Sequence, residues 1–244
     1  MSKGLKWGAL WIFLFGLTPQ LKAQEITVVG SQEEALALLE ADRWWAERKR
    51  GQQLKVPHKL ILAITERWRE SAPDLPVQTK KEIFFAALLP LVVHANAMVL
   101  ERRERIKEVD ERLARGETLS DAEVAQLQDM AVLLRITPQE EADQLSESAE
   151  LRRVIKEALY RLDVIPPGLV LGQAAYESGW ATSRFAAEGN ALFGQWTFGG
   201  QGLIPDQQRK ELGDHRIASF EWPFDSVRGY YLNLSTLPAD VDCR

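Results

Sequence analysis

Pro166-Pro167-Gly168-Leu169-Val170-Leu171-Gly172-Gln173-Ala174-Ala175-Tyr176-Glu177-Ser178-Gly179-Trp180 is the stretch whose reading decides the fold. Proline suits the first turn of a helix, where its missing N–H costs nothing, and glycine suits the end, so a helix is expected to start at Pro167 and stop at Gly179. On that helix Gln173 and Glu177 are four apart and share a face. Ala174, Ala175 and Trp180 are expected to surround the Glu177 carboxyl with apolar bulk. Desolvation of that kind raises the pKa of a carboxylic acid, so Glu177 would keep a proton near neutral pH and donate it to a leaving group. A single glutamate in an apolar helix is more often merely exposed or capped. The residues on either side decide between the two readings.

Downstream, Arg184-Phe185-Ala186-Ala187-Glu188-Gly189-Asn190-Ala191-Leu192-Phe193-Gly194-Gln195-Trp196 is crowded with glycine and aromatic residues, as is Phe198-Gly199-Gly200-Gln201-Gly202. From about Asp163 the chain is therefore loop-rich and aromatic, the texture of a cleft. Upstream, the first 150 residues read as helical. Ser31-Gln32-Glu33-Glu34, Thr79-Lys80-Lys81-Glu82, Ser120-Asp121-Ala122-Glu123 and Thr137-Pro138-Gln139-Glu140 each carry a capping residue and acidic residues in the first turn. The longest helical pattern starts near Thr79. It is almost wholly apolar from Ile83 to Val93, with Pro90 inside, and strongly charged from Glu101 to Arg115. Its first half is expected to be a core helix rather than a membrane span, and its second half a solvated helix whose mixed charges pair at i,i+3 and i,i+4. No repeat and no low-complexity linker is present.

Lys3 and Lys6 precede an apolar run from Trp7 to Leu17, broken by Thr18-Pro19, with Leu21-Lys22-Ala23 as a cleavage site before Gln24. Residues 1–23 are thus expected to be a signal peptide, or an anchor attaching the protein to the inner membrane, with export to the periplasm or cell envelope. The 244 residues are 45% hydrophobic and 27% charged, an ordinary globular composition. A net charge of −5 gives no field that would draw nucleic acid. Cys243 is the single cysteine, and His58, His94 and His215 are scattered with no ligand spacing, so neither a disulfide framework nor a metal or other cofactor is expected.

Gln173-Ala174-Ala175-Tyr176-Glu177-Ser178 followed by Asn190-Ala191-Leu192-Phe193-Gly194 resembles the glucosaminidase family of peptidoglycan hydrolases, glycoside hydrolase family 73. Lys80 to Val92 and Asp163-Val164-Ile165-Pro166-Pro167 resemble its Bax-like subgroup. The resemblance runs over roughly Leu54 to Ser235. It implies an α+β, predominantly α, lysozyme-like catalytic domain over residues 151–244, preceded by a helical region over 24–150. It also implies cleavage of the β-1,4 bond after N-acetylglucosamine in peptidoglycan glycan strands. Glu177 matches the family's general acid, Gln173, Asn190 and Phe193 lie in the blocks that shape the cleft, and Trp196 would stack on a sugar face. Glu211 and Asp214 are the candidates for a second carboxylate. Arg216 stands where relatives carry glutamate, so assistance from the substrate's own acetamido group is the favoured alternative.

Ser178 is read as a local hydrogen-bonder, because neither a Gly-x-Ser-x-Gly elbow nor a partnered histidine accompanies it. Ala181 replaces a common family glycine and is expected to narrow the cleft or stiffen the turn. After Leu234 the family pattern stops, with Leu237 and Asp240 where histidine and tyrosine are expected, so the domain reads as truncated. Three rivals stay open: a lytic transglycosylase or muramidase using the same glutamate, a non-catalytic peptidoglycan-binding protein, and a scaffold acting through its helical half.

Overall fold

The computed structural model describes residues 25–26, 56, 59–61, 63–197, 202–205 and 215–236. The expected signal segment, the Ser31 capping box, Glu211, Asp214 and residues 237–244 lie outside the described residues.

Strands β1 (Glu25–Ile26) and β2 (Lys59–Leu60) pair in parallel, Glu25 opposite Lys59. Helix α1 (Glu66–Ser71) runs into a 3-10 turn at Ala72–Asp74, and α2 (Val77–Ala114) follows. Helix α2 starts two residues before Thr79, because the carbonyl of Pro76 already accepts the Lys80 N–H at 3.0 Å. Thr79 therefore lies inside the first turn. Pro90 does not end the helix. By length and composition α2 is apolar enough to cross a membrane. Its apolar half instead supplies core: Ile83, Phe84, Leu88, Leu91 and Val92 are all buried. The charged half carries the expected pairs, Arg105 to Glu101 at 2.5 Å and Lys107 to Glu104 at 2.7 Å.

Helix α3 (Asp121–Leu133) opens with a complete capping box between Ser120 and Glu123. The fourth predicted box, at Thr137, is displaced by one residue. Pro138 occupies the cap of α4 (Gln139–Ala142), and the Thr137 hydroxyl donates to the Glu141 carboxylate at 2.9 Å instead of accepting a backbone N–H of the first turn. Helix α5 (Ser148–Arg161) completes this set, and the sequence boundary drawn near residue 150 falls in its first turn. Then come α6 (Pro167–Ser178), α7 (Arg184–Gly189), β3 (Trp196–Thr197), β4 (Gly202–Leu203), β5 (Arg216–Ala218) and α8 (Pro223–Ser235). The last three strands form an antiparallel sheet in the order β3-β5-β4, Trp196 opposite Ile217 and Leu203 opposite Ile217 on the other side. The class is α+β, predominantly helical.

Two compact units interleave along the chain instead of following one another. One combines residues 96–164 with 231–236 among the described residues, and the other combines the described residues up to 95 with 165–230. The first unit is built on Ile106, Leu127, Leu134, Leu151, Val154 and Ile155, all buried in one cluster. Arg103, drawn by sequence as part of a solvated face, donates to the carbonyls of Leu159 and Leu162 at the end of α5. Those carbonyls have no partner within the helix, so a cation suits them. The Tyr231 hydroxyl donates to Asn96 at 2.9 Å within the same unit.

Candidate active site

All site residues named below belong to the second unit. Helix α6 is divided cleanly by its 3.6-residue period. Val170, Leu171, Ala174, Ala175 and Ser178 are buried, whereas Gly168, Leu169, Gly172, Gln173, Tyr176 and Glu177 are exposed. Gln173 and Glu177 share a face, as their spacing requires. The enclosure expected around Glu177 is absent: Ala174 and Ala175 face the core, and the Trp180 ring packs edge-on to Phe84 and Phe85 at 5.3 and 5.7 Å. The same period that turns the alanines inward turns Glu177 outward.

The turn after α6 is made of three consecutive left-handed residues, Gly179, Trp180 and Ala181, with φ of 58°, 64° and 61°. For a residue with a side chain this region costs roughly 1–2 kcal/mol. Local bonds hold it. Ser178 Oγ donates to the Ala174 carbonyl at 2.5 Å and accepts the Ala181 N–H at 2.8 Å, and Trp68 Nε1 donates to the Trp180 carbonyl at 3.1 Å. Ser178 is thus a buried local hydrogen-bonder. The Ala181 methyl is buried, so its effect is on the turn and it does not narrow a cleft.

Helix α7 ends on Asn190, itself left-handed at φ 50°. Asn190 is buried, and its amide is engaged at both ends. Nδ2 donates to the carbonyls of Phe220 and Glu221 at 3.1 and 3.0 Å, while Oδ1 accepts the Ile64 N–H at 2.9 Å. One side chain ties together the approach to α1, the end of α7 and the approach to α8. The loop then runs through buried Leu192, whose N–H donates to Ser226 Oγ at 3.0 Å, to Phe193.

Phe193 is buried and stacks on Tyr230 of α8, ring centroids 4.3 Å apart and 13° from parallel. Gly194 follows at φ 58°, and a β-carbon placed there would stand 3.6 Å from Glu177 Oε2. The loop backbone therefore passes close against the carboxylate. Tyr230 belongs to the same neighbourhood. Burial pushes its phenol up from the ordinary tyrosine value, and the negative charge of Glu177 adds to the rise. Tyr230 was not singled out from sequence, because nothing local distinguishes it from Tyr231, which faces Asn96 in the other unit.

Trp196 on β3 is 51% exposed, with the buried His215 ring behind it, centroids 4.7 Å apart. The structure thus brings Gln173, Glu177, Gly194 and Tyr230 to one place. Among the described residues no three His, Cys, Asp or Glu side chains converge to hold a metal ion.

Residues 153–240 match the glucosaminidase family, described as mannosyl-glycoprotein endo-beta-N-acetylglucosaminidase, and so include Glu177, the Asn190–Gly194 loop, Trp196 and Tyr230. Over 174 residues the chain is 30% identical to Protein bax of Escherichia coli (strain K12), covering 69% of this chain and 57% of that protein. The chain is a Bax-like glucosaminidase-domain protein. It spans a little over half the length of that relative. No solved structure matches the chain. The glucosaminidase domain carries both sequence blocks on which the family resemblance rested, and the fold sets the second block against the glutamate of the first.

Proposed function

We propose that this protein is a peptidoglycan hydrolase, an endo-β-N-acetylglucosaminidase that cuts the β-1,4 bond after N-acetylglucosamine with Glu177 as general acid. The observation that carries the reading is the placement of Glu177: exposed on the outer face of α6, with the Gly194 backbone close beside it and Tyr230 nearby. A carboxyl so placed is open to a strand lying across the helix, where it can reach the oxygen of a glycosidic bond. Tyr230, held by Phe193, keeps its own proton and supports the acid from the α8 side. Gln173, one turn earlier on the same face, is placed to hydrogen-bond a sugar substituent. Trp196 offers a ring face to a pyranose, and Asn190 and Phe193 act by fixing the loop.

Substrate assistance supplies the nucleophile in this reading: the acetamido oxygen attacks the anomeric carbon as Glu177 protonates the leaving oxygen. Glu211 or Asp214 would then orient the acetamido group or activate water. We place the protein outside the cytoplasm, in the periplasm or on the cell envelope, where peptidoglycan is found and where the apolar N-terminal run would direct it.

The test is digestion of purified sacculi followed by mass spectrometry of the released fragments. Reducing N-acetylglucosamine ends from the natural chain, and release reduced roughly 10²- to 10⁴-fold by Glu177→Gln, are expected. Reducing muramic or anhydro-muramic ends would reassign the bond, and undiminished release by the variant would remove Glu177 from the mechanism.

A further inference from the structure

The exposed arc of α6 carries a side chain that the fold does not use. Tyr176 is 85% exposed, more than any other large apolar or aromatic residue among those described. A lone exposed aromatic needs no explanation in itself. This one immediately precedes Glu177 on a helix of about 100° per residue, so the two side chains leave the same surface about a quarter-turn apart. Beneath it, one turn back, is Gly172.

Glycine in a helix interior is unfavourable relative to alanine unless packing or backbone conformation demands it. Neither does here. Among the described residues a β-carbon on Gly172 would meet nothing within 4 Å, and its φ is not positive. Leu169, 51% exposed, and Gln173 flank the same spot. Around the helix the arc therefore presents a bare patch of helix backbone, an aromatic ring, an amide and the candidate acid, in that order. It bears no charge other than Glu177. A flat neutral ring with apolar C–H faces and polar edges fits such a surface.

We propose that Tyr176 is a substrate-binding residue, its ring lying against one pyranose of the glycan strand while Gly172 lets the neighbouring sugar approach the helix backbone. The proposal rests on the glycosidase reading above. It extends the substrate track along the outside of α6, away from the Gly194 loop, and makes Tyr176 a determinant of how long a strand the site prefers.

Binding of purified sacculi and of soluble β-1,4-linked N-acetylglucosamine oligomers is measured in a Glu177→Gln background, so that the strand is not consumed. Tyr176→Ala is expected to weaken binding roughly two- to twelve-fold, the range for one aromatic contact, with Tyr176→Trp and Tyr176→Phe close to the parent. Gly172→Ala is expected to raise the melting temperature by roughly 2–4 °C while weakening binding. A purely structural role would move the two together, so opposite movement distinguishes a ligand contact.

Two failures are separable. If the natural chain neither binds nor cuts sacculi, the glycosidase reading falls and this proposal with it. If the natural chain releases fragments and Tyr176→Ala binds as its parent does, this proposal alone is overturned. It is also overturned if Tyr176→Ala leaves binding intact and abolishes self-association, which would make the arc a contact between protein molecules.

Discussion

Replacing Asn190 by alanine asks whether that residue holds the site together or touches substrate. In the structure its amide makes three hydrogen bonds to backbone atoms at 2.9–3.1 Å and its backbone is left-handed at φ 50°. Alanine would leave the N–H of buried Ile64 without its partner, at about 1–3 kcal/mol. The carbonyls of Phe220 and Glu221 lie in partly exposed residues where water can replace the amide, so about 0.5 kcal/mol each is the appropriate scale. A left-handed alanine adds about 1–2 kcal/mol, a cost that asparagine bears more easily.

The expected loss is about 3–6 kcal/mol, a large share of an ordinary stability of about 5–15 kcal/mol. In a chain of this size it lowers the melting temperature by on the order of 10 °C. Asn190→Gly removes the same hydrogen bonds without the strain and should fall about 1–2 kcal/mol less. Thermal unfolding followed by circular dichroism reads both variants. Glycan release per folded molecule, assayed well below the transition, should stay near that of the parent. A melting temperature within about 2 °C of the parent, together with a large fall in glycan release, would refute the reasoning and make Asn190 a substrate contact.

Other outcomes follow from the same geometry. In Glu177→Gln the phenol of Tyr230 should ionise at lower pH than in the parent, because one of the two causes of its rise is removed; ultraviolet difference titration reads this, and an unchanged midpoint would separate the two residues. Trp196→Ala should raise the half-saturating glycan concentration more than it lowers stability, since the ring is half exposed; the reverse would make it core. The Arg112 guanidinium beside Glu123, with the Ser120 amide and hydroxyl, pushes that carboxyl down to about 2. A depressed folded-state value stabilises above the unfolded value of about 4.3 and the contribution disappears as pH falls toward 2. Glu123→Gln should therefore melt lower than the parent at pH 7 and converge with it near pH 2, and a constant gap across that window would show that the charge is not responsible.

Much of this arrangement was legible because it is set within a few residues. Pro167 and Gly179 marked both ends of α6, and Ser120 with Glu123 marked the start of α3, because caps act through adjacent backbone. The start of α2 was placed two residues late because a Pro76 carbonyl served where a threonine side chain was expected. The surroundings of Glu177 were misjudged for a different reason. Neighbours in sequence are not neighbours in space here: Ala175, two residues from Glu177, turns about 160° away, and Ala174, three residues away, falls on the buried side of the helix. The left-handed Asn190 had a readable signal, an asparagine just after an apolar helical turn and a glycine. Trp180 and Ala181 in the same conformation had none. Their strain is supported by Trp68 and by the Phe84–Phe85 pair, more than 90 residues away.

The interleaving of the two units fixes the order in which the site can be made. Ile64 meets Asn190 across 126 positions of chain, and Trp68 meets Trp180 across 112. In between, the chain leaves the unit that bears Glu177 and builds the other. As the polypeptide is extended from its N-terminus, the segment before residue 96 carries Phe84 and Phe85, whose partner Trp180 has not yet been synthesised. Contacts of such span are slow to form, since a long loop must close before any of them stabilises the chain. The nascent protein thus carries an unfinished second unit until residue 230 has emerged, and until the Asn190–Gly194 segment follows it Glu177 has no loop beside it.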